Sequence, residues 1–371
     1  MVFLAGPRQV GKTTFAKQIM SRFDFAQYFL WDKADHRKAI MRAQWPVESS
    51  LIVLDELHKY RKWKGWLKGE FDLHREKYQF LVTGSARMDV YRKGGDSLQG
   101  RYHHYRMHPF TLNEIQGFEP QIQPGKELIF RDSRKTGDLS AFMEFGGFPE
   151  PLFAASARSH RRWQKERFER FFREDIRDLE NVRELSQLQL LADLLPEKVG
   201  NPLSLNSLRE DLEVSHRAVT NWVQIFERLY FVFRVPPFHV KKLNTFKKET
   251  KAYLYDWTQV VDRGKRYENL IASHLLKFCN FLDDRDGYNV QLYYLRDPEK
   301  REVDFLITYQ NKPWFAVEAK VTDEKIAPSL RYFQRRLSVP YCFQVVLGTK
   351  RDFMQDEIRV IPAEKFLTAF V

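Results

Sequence analysis

Residues 6–14 read Gly6-Pro7-Arg8-Gln9-Val10-Gly11-Lys12-Thr13-Thr14, between a short apolar run, Val2-Phe3-Leu4-Ala5, and a helical pattern from Phe15 to Met20. Strand, glycine loop and helix in that order are the setting in which G-x-x-x-x-G-K-[ST] makes a phosphate-binding loop. The glycines let the backbone curl so that successive N–H groups point inward, and the following helix adds the positive end of its dipole. Lys12 is expected to reach the β- and γ-phosphates of a nucleotide, and the Thr13 hydroxyl to complete the shell of a Mg2+ ion. Gly6 through Thr14 are therefore the candidate nucleotide-binding set.

A second strand is expected at Tyr28-Phe29-Leu30-Trp31-Asp32, and a third at Leu51-Ile52-Val53-Leu54 with Asp55-Glu56 at its end. Four apolar residues followed by two acids describe a buried parallel strand that delivers carboxylates to the C-terminal edge of a sheet. Asp55 is the candidate partner of Thr13 at Mg2+, and Glu56 the candidate group that polarises an attacking water. That second acid argues for hydrolysis rather than binding alone. The next strand, Gln79 to Ser85, leaves Thr83 and Ser85 where a hydroxyl can sense a γ-phosphate. Arg101, in Ser97-Leu98-Gln99-Gly100-Arg101, is the candidate guanidinium for developing phosphate charge, in its own subunit or a neighbour's. Arg87 competes for that role.

Together with Pro109-Phe110-Thr111-Leu112-Asn113-Glu114 and Phe145-Gly146-Gly147-Phe148-Pro149, these stretches resemble a bacterial and archaeal group of AAA-type ATPases that carry a C-terminal domain of unassigned function. The resemblance covers essentially the whole chain. It implies an ATPase that uses ATP and Mg2+ and that can assemble through its arginine-bearing face. Two departures accompany it. Only five residues precede Gly6, where such relatives usually have a helical stretch, and His58 stands where they often have glutamine.

Beyond the ATPase part, residues 159–178 keep Trp163, Phe168, Phe171, Phe172 and Ile176 on one helical face. Arginines and acids share the other face, and i,i+4 pairing accounts for them, so this helix reads as structural. Leu205, Leu208 and Leu212 suit a short helix, and Ser215 can cap a second one. In the second, Val219, Trp222, Val223, Phe226 and Leu229 line one face, while His216, Arg217, Thr220, Asn221 and Gln224 lie opposite. A strand from Tyr230 to Val235 follows as a candidate wing. This helix-turn-helix pattern can read DNA or dock a protein. The pairs Lys241-Lys242 and Lys247-Lys248 can touch phosphates or serve as a solvated linker.

In the last third, strands are expected at Leu292–Leu295, Glu302–Ile307 and Trp314–Val321, after an amphipathic helix that contains Glu268. Alternate residues of a strand share a face, so Glu318 and Lys320 project together. If Asp304 lies on the adjacent strand, two carboxylates and a lysine converge, which is what metal-assisted phosphodiester hydrolysis needs. The set resembles the PD-(D/E)XK nuclease superfamily. That resemblance implies Asp304, Glu318 and Lys320 as catalytic residues, with Glu268 joining Asp304 and Glu318 at a metal.

The expected fold is thus α/β: an AAA-type parallel-sheet P-loop domain (1–125), a helical and winged-helix-like domain (126–240) and an α/β nuclease-like domain (241–371). A chain of 371 residues with 43% hydrophobic and 30% charged residues has the composition of a folded protein, not a disordered one. Its formal net charge of +12 points to an acidic partner, DNA first. Cys279 and Cys342 sit among aromatics and read as buried free thiols of a reducing compartment. No apolar run approaches the roughly 20 residues of a membrane span, and a cytoplasmic protein is expected. Three functions remain open: an ATP-driven DNA nuclease, an ATP-dependent DNA-binding switch that does not cut, and a remodelling or signalling ATPase that docks a protein.

Overall fold

A computed structural model describes residues 1–85, 98, 100–135, 137–176, 184–239, 250–322 and 325–371. The chain divides into two compact units. The first comprises Met1–His108, Glu169–Val182 and Arg228–Tyr230; the second comprises Pro109–Phe168, Arg183–Glu227 and Phe231–Val371.

In the first unit, β1 (Val2–Ala5), β2 (Ala26–Leu30), β3 (Leu51–Asp55), β4 (Gln79–Gly84) and β5 (His103–Arg106) form one all-parallel sheet in the order β2-β3-β4-β1-β5. β3 is buried along its whole length, because helices cover both faces of the sheet and every side chain must be apolar until the strand ends. On one face Leu4, Leu51, Val53 and Leu81 pack against Ala16 of α1 (Lys12–Met20). On the other, Phe3 meets Trp63 of α3 (Trp63–His74) edge-on at 5.7 Å, α2 being Ala34–Met41. β4 therefore stands between the strand that feeds the glycine loop and the strand that ends in acids. Residues 171–176, a π-helical stretch, also belong to this unit.

The second unit begins with α4 (Leu112–Gln116), started by a capping box in which Thr111 and Glu114 satisfy each other's backbone N–H groups. Such a cap contributes about 1 kcal/mol. There follow α5 (Asp138–Phe145), α6 (Pro149–Ala154), α7 (Ala157–Arg170), α8 (Leu185–Lys198), α9 (Leu205–Asp211) and α10 (His216–Arg228). β6 (Val232–Val235) pairs antiparallel with β7 (Lys251–Leu254). The long α11 (Arg263–Asp286) lies against a mixed sheet of β8 (Val290–Arg296), β9 (Glu302–Tyr309), β10 (Lys312–Lys320), β11 (Tyr341–Val346), β12 (Phe353–Gln355) and β13 (Ile358–Pro362). Phe278 of α11 packs with Trp314, Phe315 and Phe370 at centroid distances of 5.1–6.1 Å. The fold is α/β throughout, as expected, and among the described residues no helix is long and apolar enough to cross a membrane. Cys279 and Cys342 are both buried and free.

Candidate functional site

The glycine loop leaves β1 under tight constraint. The Gly6 N–H donates to the Gly84 carbonyl at 3.3 Å, and a Cβ on Gly6 would stand 2.3 Å from the Met107 carbonyl oxygen, so only glycine fits. Gly11 adopts φ +103°, a left-handed conformation that other residues take only with strain. It opens α1, whose first turn has no side-chain cap. An uncapped helix start beside a curled backbone is an anion-binding geometry. Lys12 is buried, and its ammonium donates to the Gly6 and Pro7 carbonyls at 3.0 and 2.7 Å. Burial pulls its pKa down, opposed by the nearby charges of Glu56 and Asp55.

The acids of β3 stand one strand away. Asp55 faces Thr83 across the β3–β4 ladder and is 2% exposed. Three hydroxyls close on its carboxylate: Thr13 and Tyr28 donate to Oδ2 at 2.8 and 2.5 Å, and Thr83 donates to Oδ1. Thr13 and Asp55, both oxygen donors and already adjacent, fit a hard cation such as Mg2+. Glu56 turns away from the strand with φ +60°, its N–H held by the Thr83 carbonyl at 3.1 Å. Ser85 Oγ donates to its Oε2 at 3.2 Å, and His58 Nε2 lies 3.6 Å from the same oxygen. Burial lowers the His58 pKa, against the raising pull of the Glu56 charge. Sequence reasoning missed Tyr28, although Ala26, Tyr28 and Leu30 share the face of Leu51, Val53 and Asp55 in the paired register.

Arg8, expected to face phosphate, is engaged elsewhere. Its guanidinium pairs with Glu174 and, at 2.8 Å, with Asp175 of the 171–176 stretch. The end of the helix read as structural thus grips the phosphate loop. Burial pushes the Asp175 carboxyl up to about 6 from its ordinary 3.8, outweighing the lowering pull of Arg8. A raised folded-state pKa means stability that is fully present below the ordinary carboxyl value and is lost as pH rises through about 6. Asp175→Asn is therefore expected to flatten the decline in stability between about pH 4 and 6, by up to roughly 3 kcal/mol. Urea midpoints across that range check it; an unchanged decline in the variant would clear Asp175.

Arg101 lies at the far edge of the sheet. β5 runs parallel to β1 with His103 beside Val2, so Arg101 precedes the N-terminal edge while the loop follows the C-terminal one. The length of β1, about 13 Å, separates them. Arg101 grips Asp72 of α3 through two bonds, at 2.7 and 3.1 Å. Arg87, Ser97 and Gln99 lie outside the described residues.

In the second unit the antiparallel β9–β10 register sets Phe305 opposite Val317 and brings Asp304 beside Glu318. The Asp304 N–H donates to Glu318 Oε2 at 3.4 Å, and the Ala319 N–H donates to Asp304 Oδ2 at 2.9 Å. Lys320 Nζ reaches Glu318 Oε1 at 2.7 Å. Glu268 of α11 joins from the side, receiving a 2.7 Å bond from the Tyr253 hydroxyl. Burial, then the Asp304 charge, raises the pKa of both Glu268 and Glu318. Two residues that sequence reasoning did not single out complete the cluster, Glu302 and Lys251. Lys251 is 1% exposed, with Nζ 2.7 Å from Glu302, 3.2 Å from Glu268 and 3.7 Å from Asp304. Among the described residues no group of three or more His, Cys, Asp or Glu is arranged to hold a metal ion.

α9 and α10 form a capped helix pair, with Ser204 Oγ and Ser215 Oγ accepting from the Ser207 and Ala218 N–H groups. Val219, Trp222, Val223 and Phe226 are buried, while His216, Arg217, Asn221 and Gln224 are exposed and Thr220 half-buried. Lys241, Lys242, Lys247 and Lys248 lie outside the described residues.

Residues 1–116 match the family model of an AAA domain. Residues 136–258 and 263–366 match two domains of unknown function, DUF8612 and DUF4143. An uncharacterized protein of Methanocaldococcus jannaschii is 21% identical over 359 residues, spanning 90% of this chain and 77% of its own length. One from Mycobacterium tuberculosis is 21% identical over 379 residues, spanning 99% of this chain and 81% of its own. The N-terminal part of the chain is thus similar to an AAA-type ATPase domain.

Proposed function

We propose that this protein is an ATP-hydrolysing switch that acts on DNA without cutting it. The observation that carries the ATPase reading is the alignment of Lys12, Thr13, Asp55 and Glu56 at one sheet edge, with β4 between the loop and the acids. Backbone N–H groups of the loop from Arg8 onward and of the start of α1 receive the phosphates. Lys12 exchanges the carbonyls of Gly6 and Pro7 for phosphate oxygens. Thr13 and Asp55 would hold Mg2+, which neutralises charge on the transferred phosphoryl group. Glu56 accepts hydrogen-bonding from the attacking water and polarises it, and Ser85, already bonded to Glu56, is placed to register the γ-phosphate. Arg101, remote from its own loop, is assigned to a neighbouring copy in a homo-oligomer.

The DNA reading rests on the exposed His216, Arg217, Asn221 and Gln224 of α10 and on the net charge of +12. Such polar and cationic side chains on one helix after a tight turn suit a groove. ATP turnover is expected to rise when linear or branched DNA is added at fixed salt, with the DNA intact on a gel afterwards. Affinity should fall steeply with salt: neutralising about five phosphates gives a slope of about −4.5 in log K against log salt. A flat salt dependence would remove the electrostatic DNA contact, and turnover indifferent to every DNA would point to a protein partner.

A further inference from the structure

We propose that Lys251 is a built-in cation: its ammonium fills the place where the carboxylates of Glu268, Glu302 and Asp304 converge and closes that cluster to divalent metal. The inference is independent of the ATPase reading, because it concerns only the second unit.

The ammonium is enclosed, not draped over the surface. Three carboxylates from two elements lie 2.7–3.7 Å from Nζ, and the residue is 1% exposed. Glu302 and Asp304 are alternate residues of β9 and so present themselves on one face. The backbone that carries Lys251 is held on both sides. It pairs with Val235 in β6 and bridges to Pro202, while the Leu203 N–H donates to the Thr250 carbonyl at 2.8 Å. A lysine mounted this way has little freedom to swing out.

The acids themselves have few open directions. Glu268 Oε1 takes Tyr253 Oη and Lys251 Nζ, and a Cβ on Gly200 would stand 2.8 Å from its Oε2, so backbone crowds that side. Glu302 Oε2 accepts from Arg296 at 2.6 Å. Asp304 Oδ2 accepts from the Ala319 N–H, and Glu318 Oε1 is taken by Lys320. Four carboxylates are met by the three cations Lys251, Lys320 and Arg296. A divalent ion needs about six or more oxygens within roughly 2.6 Å, and here it would have to sit against an ammonium that already holds them. The donor set therefore does not fit the metal expected from the pattern of Asp304, Glu318 and Lys320. The cluster instead ties residues 200–203, β7, α11 and β9 together as an ion-pair knot around a buried ammonium.

The test is Mn2+ binding to the full-length, nucleotide-free chain, read from the paramagnetic resonance signal of free Mn2+. Wild type and Asp304→Asn are expected to give the same isotherm. Lys251→Met, which keeps most of the stem and removes the ammonium, is expected to gain one Mn2+ site at least about tenfold tighter than any in wild type. Adding Asp304→Asn to it should abolish that site. A wild-type Mn2+ site lost in Asp304→Asn would overturn the proposal, and so would a folded Lys251→Met that gains none. Should Lys251→Met lose its circular dichroism signature, Lys251→Gln replaces it, and the wild-type comparison decides by itself.

Discussion

Glu56→Gln is expected to bind ATP with near wild-type affinity and to hydrolyse it about 10²–10⁴ times more slowly. The side chain is held by Ser85 Oγ at 3.2 Å, and its backbone N–H donates to the Thr83 carbonyl at 3.1 Å. Glutamine has the same length and can keep both contacts, so the loop and the Asp55 cluster should survive the change. What disappears is the negative charge that draws a proton from water. His58, 3.6 Å from the same carboxylate, has its pKa lowered by burial and is the weaker base for it. Affinity from a fluorescent ATP analogue and turnover from released phosphate separate the two effects. Unimpaired hydrolysis in Glu56→Gln would remove Glu56 as the group that polarises water.

Lys12→Ala should lose binding as well as turnover. A charge-assisted bond from a buried ammonium to phosphate contributes about 2–3 kcal/mol, roughly 30- to 150-fold in affinity. The loss extends into the transition state, so turnover should fall further than affinity. Removing Lys12 also strips a donor from the carbonyls of Gly6 and Pro7, which it bonds at 3.0 and 2.7 Å. Some unfolding free energy will go with it, and Lys12→Met, which keeps the buried stem, serves as the control. If Lys12→Met binds the analogue as tightly as wild type, the ammonium does not contact phosphate.

The parts of the site that lie close together in sequence were readable from it. The loop from Gly6 to Thr14 announces itself by spacing, and Leu51–Asp55 by four apolar residues before an acid. Strand parity alone placed Glu318 with Lys320, and the pairing of β9 with β10 then supplied Asp304. What stayed hidden depends on distant pairing. Asp175 reaches Arg8 across 167 positions, and nothing in a run of arginines and acids marks which acid leaves the surface. Lys251 is one lysine in a lysine-rich stretch until the register of β6 with β7 turns it inward. The sequence leaves Arg101 between its own subunit and a neighbour's, and only the parallel run of β5 beside β1 sets it away from its own loop.

The grip of three hydroxyls on Asp55 has a consequence for ion choice. A carboxylate restrained on both oxygens, by Thr13 and Tyr28 on one and Thr83 on the other, cannot swing outward to suit a larger guest. Calcium tolerates loose, irregular shells, whereas magnesium demands near-octahedral angles and short bonds. Discrimination between the two would then be set less by the acid itself than by the lateral spacing of β2, β3 and β4. A cation held there would be gauged by the sheet as much as by the acid.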